Sequence, residues 1–146
     1  MRVAVATDEA GATPDAVAAW LVAAGHEVVE VVPGGVAPWP DVGHAVGEAV
    51  ASGVVDAGVV CCWTGTGVTM AANKVPGVRA ALCTDAATAE GARRWNDANV
   101  LGISLRLATP TVAGELCTAF FGTGPDADGQ DLIGRVEPDG GPASGN

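Results

Sequence analysis

The residues best equipped for chemistry stand together at Cys62-Trp63-Thr64-Gly65-Thr66-Gly67, where an apolar run ends in a thiol and passes into a glycine-rich turn. Glycines let a backbone approach a ligand closely, and exposed N–H groups at a helix start favour negative charge. A thiol beside such a nest can act as a base or a nucleophile. The plainer alternative is that Cys62 is a small buried hydrophobe and the glycines merely turn the chain. A lone Gly-x-Gly does not decide between the two. Asp8, Glu9, Asp41 and Asp85 fall near predicted loop ends, but no histidine accompanies them at ligand spacing, so they define no metal site.

These residues need elements to hold them. Val3 to Ala6 reads as a first strand ending at Thr7-Asp8. Thr13 is the expected N-cap, with Pro14 at the first helical position, of a helix that runs to Ala24 and is stopped by Gly25. Glu27 to Val32 is rich in β-branched residues and predicts strand two, and Asp41 to Ser52 predicts the second helix. Gly58 to Cys62 is a continuous apolar strand three, followed by a short helix over Val68 to Asn73. Val78 to Cys83 predicts strand four, Asp85 caps a helix to about Trp95, and Val100 to Ser104 predicts strand five. Thr109-Pro110 opens a last helix that ends near Phe121-Gly122.

Strand and helix in strict alternation imply an α/β fold, a Rossmann-like three-layer sandwich around a five-stranded parallel sheet. Ligands of such sheets bind beyond the C-terminal ends of the strands. That rule selects Asp8-Glu9, Cys62 to Gly67, Thr84-Asp85 and Ser104 to Arg106. Residues 1–122 form this domain; residues 123–146, rich in Gly, Pro and Asp, are expected to wrap a neighbouring subunit or to stay partly disordered.

Bulk composition narrows the function classes. The 146 residues suffice for one domain with a real core, and 49% hydrophobic against 16% charged residues argues for a folded chain. With aromatics at 4% and no Tyr, that core must be mainly Val, Ala, Leu and Ile. A formal net charge of −10 leaves no basic footprint for nucleic acid and repels anionic lipid. No signal peptide or membrane-spanning stretch is apparent. Cys61, Cys62, Cys83 and Cys117 form no C-x-x-C pair, which reads as reduced thiols in a cytoplasmic protein.

The longer pattern carries a resemblance. Cys62 to Gly67, then Ala71-Ala72-Asn73-Lys74-Val75-Pro76-Gly77-Val78-Arg79-Ala80-Ala81-Leu82-Cys83, then Asn96-Asp97-Ala98-Asn99-Val100-Leu101, resembles the ribose-5-phosphate isomerase B / galactose-6-phosphate isomerase family. Thr7-Asp8 with Ala10-Gly11, Gly25-His26-Glu27-Val28-Val29 and Pro40-Asp41 extend the likeness over about residues 1–121. The resemblance implies a homodimer or homotetramer with active sites at a subunit interface, acting on a sugar or sugar phosphate without a cofactor. It puts Cys62 on the cysteine that moves a proton between C1 and C2 through a cis-enediolate, and Thr64 on a threonine assisting at the sugar oxygens. It puts the backbone of Gly65, Thr66 and Gly67 on an anion hole, Asp8 on a hydroxyl ligand, Asn96 on a further polar contact and Arg106 on a phosphate-contacting arginine. Some branches carry a glutamate base where Val68 stands, which leaves Cys62 as the matching base here.

Three departures bear on the substrate. Glu9 stands where the family usually has a histidine, and Trp95 where it has the ring-opening histidine. In the tail, Arg135 falls on the second phosphate arginine while Asp131 replaces the first. His26 and His44, the only histidines, read as a turn residue and a solvated helix residue. Without an imidazole, acid–base opening of a sugar ring loses its usual catalyst, and Trp95 offers an apolar wall and one N–H. Ribose 5-phosphate is therefore disfavoured. Three readings remain: an isomerase or epimerase for a short, open-chain or weakly anionic sugar, with Glu9 as hydroxyl ligand or second acid/base; a site recruited to different chemistry; and a non-catalytic partner subunit or polyol-binding module. Trp39 and Trp63 read as interface packing more than as sugar platforms, and Trp20 as core.

Overall fold

The computed structural model describes residues 1–137. Its five strands are β1 (Arg2–Thr7), β2 (Glu27–Val29), β3 (Ala57–Cys62), β4 (Ala80–Leu82) and β5 (Val100–Ser104), and they form one parallel sheet in the order β2-β1-β3-β5-β4. Helices α1 (Ala12–Ala23), α4 (Ala86–Asn96) and α5 (Pro110–Phe121) cover one face; α2 (Trp39–Ala51) and α3 (Thr66–Asn73) cover the other. This is the three-layer α/β sandwich that the alternation predicts.

Each face has its own core. Val3, Val59, Leu101 and Ile103 meet Val17, Leu21, Leu116 and Phe120 on one side, while Ala4, Val60 and Val100 meet Val42, Val46 and Val68 on the other. Every residue of β3 and β5 is buried, as strands covered on both faces must be. Alternation along β3 sends Cys61 into the first core and Cys62 into the second.

Several boundaries differ from the sequence-based expectation, each for a visible reason. Helix α1 starts at Ala12 behind Gly11, because the Thr13 hydroxyl is taken up donating to the Ala108 carbonyl at 2.9 Å and caps nothing. Strand β2 stops at Val29; Pro33 has no N–H to continue it, and residues Pro33–Gly35 make a 3-10 turn with Gly34 at φ 68°. The chain then returns beside β1, where Thr7 bridges Val36, and α2 begins at Trp39 rather than Asp41. Strand β4 shrinks to Ala80–Leu82 because side-chain amides take over its flanks. Asn73 both donates to and accepts from the Ala80 backbone at 2.8 Å, and the Asn99 Oδ1 accepts the Arg79 N–H at 2.8 Å. Asp85 and Thr109 do cap α4 and α5 as expected, accepting from Thr88 and Val112.

Beyond α5, a 3-10 turn (Ala127–Gly129) and the single-turn helix α6 (Gln130–Ile133) follow, with Ile133 buried. Residues 138–146 of the expected tail lie outside the described residues.

Candidate active site

The strand order fixes where a ligand can sit. From β1 the chain goes to β2 on one side and then to β3 on the other, so the connections leave in opposite directions between β1 and β3. Such a switch point opens a crevice at the C-terminal strand ends. β1 delivers Asp8 and Glu9 to it, β3 delivers Cys62, and the segment after β5 delivers Arg106.

Helix α3 starts at Thr66, two residues earlier than predicted, so the glycine loop is itself the helix N-terminus. The first internal bond runs from the Thr69 N–H to the Gly65 carbonyl, which leaves the N–H groups of Thr66, Gly67 and Val68 free of helical partners. Gly65 caps this turn at φ 76°, and a Cβ there would lie 2.5 Å from a Leu82 methyl and 2.9 Å from the Ser104 nitrogen. Only glycine satisfies both the left-handed backbone and the close approach.

The loop is stapled to β5. The Cys62 carbonyl accepts N–H groups of Gly65 (3.2 Å) and Leu105 (3.0 Å), and the Trp63 carbonyl accepts from the Arg106 N–H (2.8 Å) and the Ser104 hydroxyl (3.0 Å). Thr69, which sequence reasoning passed over, donates its buried hydroxyl to the Gly65 carbonyl at 2.6 Å. Its role depends on Gly65 being the helix cap, which the later predicted start of α3 concealed. Trp39, read as interface packing more than as a sugar platform, has its ring against Gly67, about 3.0 Å from where a Cβ would be. The hydroxyls of Thr64 and Thr66 share a 2.8 Å hydrogen bond at the mouth of the loop.

Burial pushes the Cys83 thiol up to about 11 and the Cys117 thiol up to about 12, and raises Cys61 further still. All four cysteines are free, and Cys62, at 4% exposure, is the least enclosed of them. Asp8 has one buried carboxylate oxygen without a hydrogen-bond partner among the described residues. Desolvation holds its pKa above the ordinary 3.8; its own backbone N–H opposes this, and the neighbouring Glu9 charge adds to it. Glu9 is exposed, its backbone tied to the Thr7 hydroxyl. Among the described residues no three His, Cys, Asp or Glu side chains converge as metal ligands, and no helix is long and apolar enough to cross a membrane.

The remaining expected site residues are elsewhere. Asn96 ends α4 and Trp95 precedes it, at the end of the sheet where β5 starts, whereas Cys62 pairs with Ser104 where β5 finishes. Five residues of strand put about 15 Å between those ends. The segment that follows Arg135 returns to the end of the sheet that holds Asn96. The Asp126 N–H donates to the Arg94 carbonyl, and Val136, Glu137 and Asn96 line one cavity of about 600 Å³. Within one chain, then, Asp8, Glu9, Cys62, Thr64, Gly65, Thr66, Gly67 and Arg106 gather at one end, and Trp95, Asn96 and Arg135 at the other. Arg135 is exposed and faces Asp131 at 3.7 Å. His44 is exposed on α2, and His26 packs between Trp20 and Phe121, so neither histidine enters either group.

Comparison with known proteins agrees with this architecture. The chain superposes on ribose-5-phosphate isomerase B of Clostridium thermocellum with a TM-score of 0.87 at 34% identity, covering 93% of this chain and 95% of that one. Among curated relatives, D-erythrulose-4-phosphate isomerase of Pectobacterium atrosepticum is 36% identical over 103 residues, covering 68% of each chain. A 4-deoxy-4-sulfo-D-erythrose isomerase of a Clostridium species is 29% identical over 128 residues, 85% of this chain and 80% of that one. With ribose-5-phosphate isomerase B of Escherichia coli, 38% identical over 84 residues, the match spans only 56% of the relative's length and 58% of this chain. Residues 3–137 match the Ribose/Galactose Isomerase family, and the chain belongs to it.

Proposed function

We propose that this chain is an aldose–ketose isomerase, or a related epimerase, that transfers a proton through a cis-enediolate with Cys62 as the base. The observation that carries the reading is the placement of Cys62. It ends a buried strand at the sheet's switch point and leads directly into three free N–H groups at the start of α3. In this scheme the Cys62 thiolate takes the proton from the carbon beside the carbonyl, and the C–H electron pair becomes the enediolate double bond. The carbonyl oxygen takes up the negative charge, which the loop's N–H groups hold. Cys62 then returns the proton to the neighbouring carbon, while Thr64 passes the hydroxyl proton between the two oxygens. Asp8, with its unpartnered oxygen, accepts a hydrogen bond from a sugar hydroxyl.

The substrate is a short sugar in its open-chain form. With Trp95 in place of an imidazole, the site has no group suited to opening a ring. Two relatives are named for four-carbon sugars substituted at position 4. A tetrose so substituted has no free 4-hydroxyl with which to close a furanose. Asp131, 3.7 Å from Arg135, reduces the positive charge that this arginine offers to the sugar's terminal group.

Two copies of the chain complete the site. A twofold arrangement sets the Cys62 end of one copy against the Trp95, Asn96 and Arg135 end of the other, twice over. Support comes from Trp39, Trp63, Met70 and Leu107, apolar side chains left 45–62% exposed on α2, α3 and the loops after β3 and β5.

The test is proton exchange. Wild type and Cys62→Ala are incubated in D₂O with sugars of four to six carbons, with and without terminal phosphate or sulfonate, and followed by NMR. The reading expects deuterium at C1 or C2 of a four-carbon compound, lost in Cys62→Ala. A folded protein that exchanges nothing across the panel would overturn it and favour a non-catalytic subunit.

A further inference from the structure

Asn96 is followed by Asp97, the only non-glycine residue among those described with a positive φ (44°). A left-handed aspartate is unfavourable by about 1 kcal/mol unless its surroundings hold it. Two arginines do so. Arg93 contacts one carboxylate oxygen at 2.9 Å, and Arg79 contacts the other at 3.2 Å while its Nε donates to the Asp97 backbone carbonyl at 2.8 Å.

Arg79 has a second partner, from the far end of the chain. Its guanidinium lies 3.7 Å from Glu137 Oε1, and the other carboxylate oxygen of Glu137 accepts the Gly77 N–H at 3.2 Å. Arg79 and Glu137 are 20% and 18% exposed, so this pair is shielded far better than the exposed pair of Arg135 and Asp131, at 75% and 70%. Asn99 secures the same corner, donating to the Gly77 carbonyl at 2.9 Å and accepting from the Arg79 N–H at 2.8 Å. One guanidinium thus joins the turn after Asn96 to the segment two residues beyond Arg135.

We infer that Arg79 is a positioning residue: it fastens the Arg135 segment, through Glu137, to the Asn96-Asp97 turn, so that both groups are presented together to the substrate. The part of this inference that concerns substrate rests on the function proposed above; the tie itself does not. Arg79 touches no substrate in this scheme. Its effect reaches the reaction through Asn96 and Arg135, and that effect is on binding of the sugar's terminal group rather than on the proton transfer.

The test uses the full chain and the variants Glu137→Ala, Arg135→Ala and their double. Amide hydrogen exchange by mass spectrometry is read on peptides covering residues 94–99 and 130–137. Glu137→Ala is expected to speed exchange about tenfold in both peptides, as loss of a shielded charged contact would. With D-erythrose 4-phosphate as the probe, KM is expected to rise about tenfold while kcat stays within about twofold, and Glu137→Ala is expected to add nothing once Arg135 is gone. Faster exchange confined to residues 130–137, or equal KM for Glu137→Ala and wild type, would overturn the inference. A wild type inert toward the probe would count against the proposed substrate, leaving the exchange data to decide whether Arg79 ties the two segments.

Discussion

Asp8 and Thr69 stand on either side of the glycine loop and illustrate opposite uses of burial. Asp8 keeps a carboxylate oxygen out of water with no hydrogen-bond donor among the described residues, and desolvation, its largest perturbation, raises its pKa above 3.8. A carboxyl raised in the folded state favours folding below its unfolded pKa, and that contribution is lost as pH climbs through the higher folded value. The Asp8→Asn variant should therefore melt at a higher temperature than wild type at neutral pH, with the gap closing as the pH falls through the raised folded value and gone below about 3.8. Thermal melts across that range check this; a destabilised Asp8→Asn at neutral pH would contradict it. Thr69 is fully satisfied instead, its hydroxyl spent on the Gly65 carbonyl. Thr69→Val removes that bond at nearly constant volume and should cost about 1 kcal/mol in denaturant unfolding; stability equal to wild type would contradict it. Cys62 and the glycine nest were legible in the sequence as a thiol running into a turn. Thr69 was not, because a threonine inside a short helix looks like any other until its hydroxyl is seen to reach back one turn.

Among the elements, the packing of α2 on α3 matters most, since α3 carries the loop. Gly43 faces α3 so closely that a Cβ there would lie 2.6 Å from both the Val68 carbonyl and the Ala71 Cβ. Both neighbours belong to one rigid helix, so it must shift as a whole. Gly43→Ala should lose about 1–3 kcal/mol of stability and displace α3. Equilibrium unfolding gives the first, and a fall in activity larger than the fall in folded fraction gives the second. Stability within about 0.5 kcal/mol of wild type would show that the helices can part without strain. Periodicity and composition gave the order of all five strands and their helices along the chain, because buried parallel strands announce themselves as apolar runs. Boundaries failed where side chains substituted for backbone: Thr13 spent on Ala108, Asn73 and Asn99 standing in for strand neighbours of β4. Those are pairings between distant residues, invisible to local propensity. The one-turn helix α6 was hidden for a related reason, since Ile133 is its sole buried anchor in a stretch of Gly, Asp and Pro.

At the scale of the whole molecule, the sheet separates residues that the family resemblance brings together. In a parallel sheet the residues just before β5 must lie at the opposite end from Cys62, so the separation of Trp95 and Asn96 was implicit in the strand order along the chain. The return of the tail to that end was not, because it rests on contacts between distant residues. The proposed two-copy site accounts for the separation and for the exposed Trp39, Trp63 and Met70. It also makes the active unit obligatorily oligomeric, whatever the stability of a single copy. The most direct measurement is deuterium incorporation by a mixed oligomer of Cys62→Ala and Arg135→Ala chains, purified through a different tag on each. Each parent oligomer alone should be impaired. In the mixed species one site collects both defects and the other none, so about half of the wild-type exchange rate should return. A mixed oligomer no more active than its parents would contradict the account, because it would mean that Cys62 and Arg135 do not complete one site across two copies.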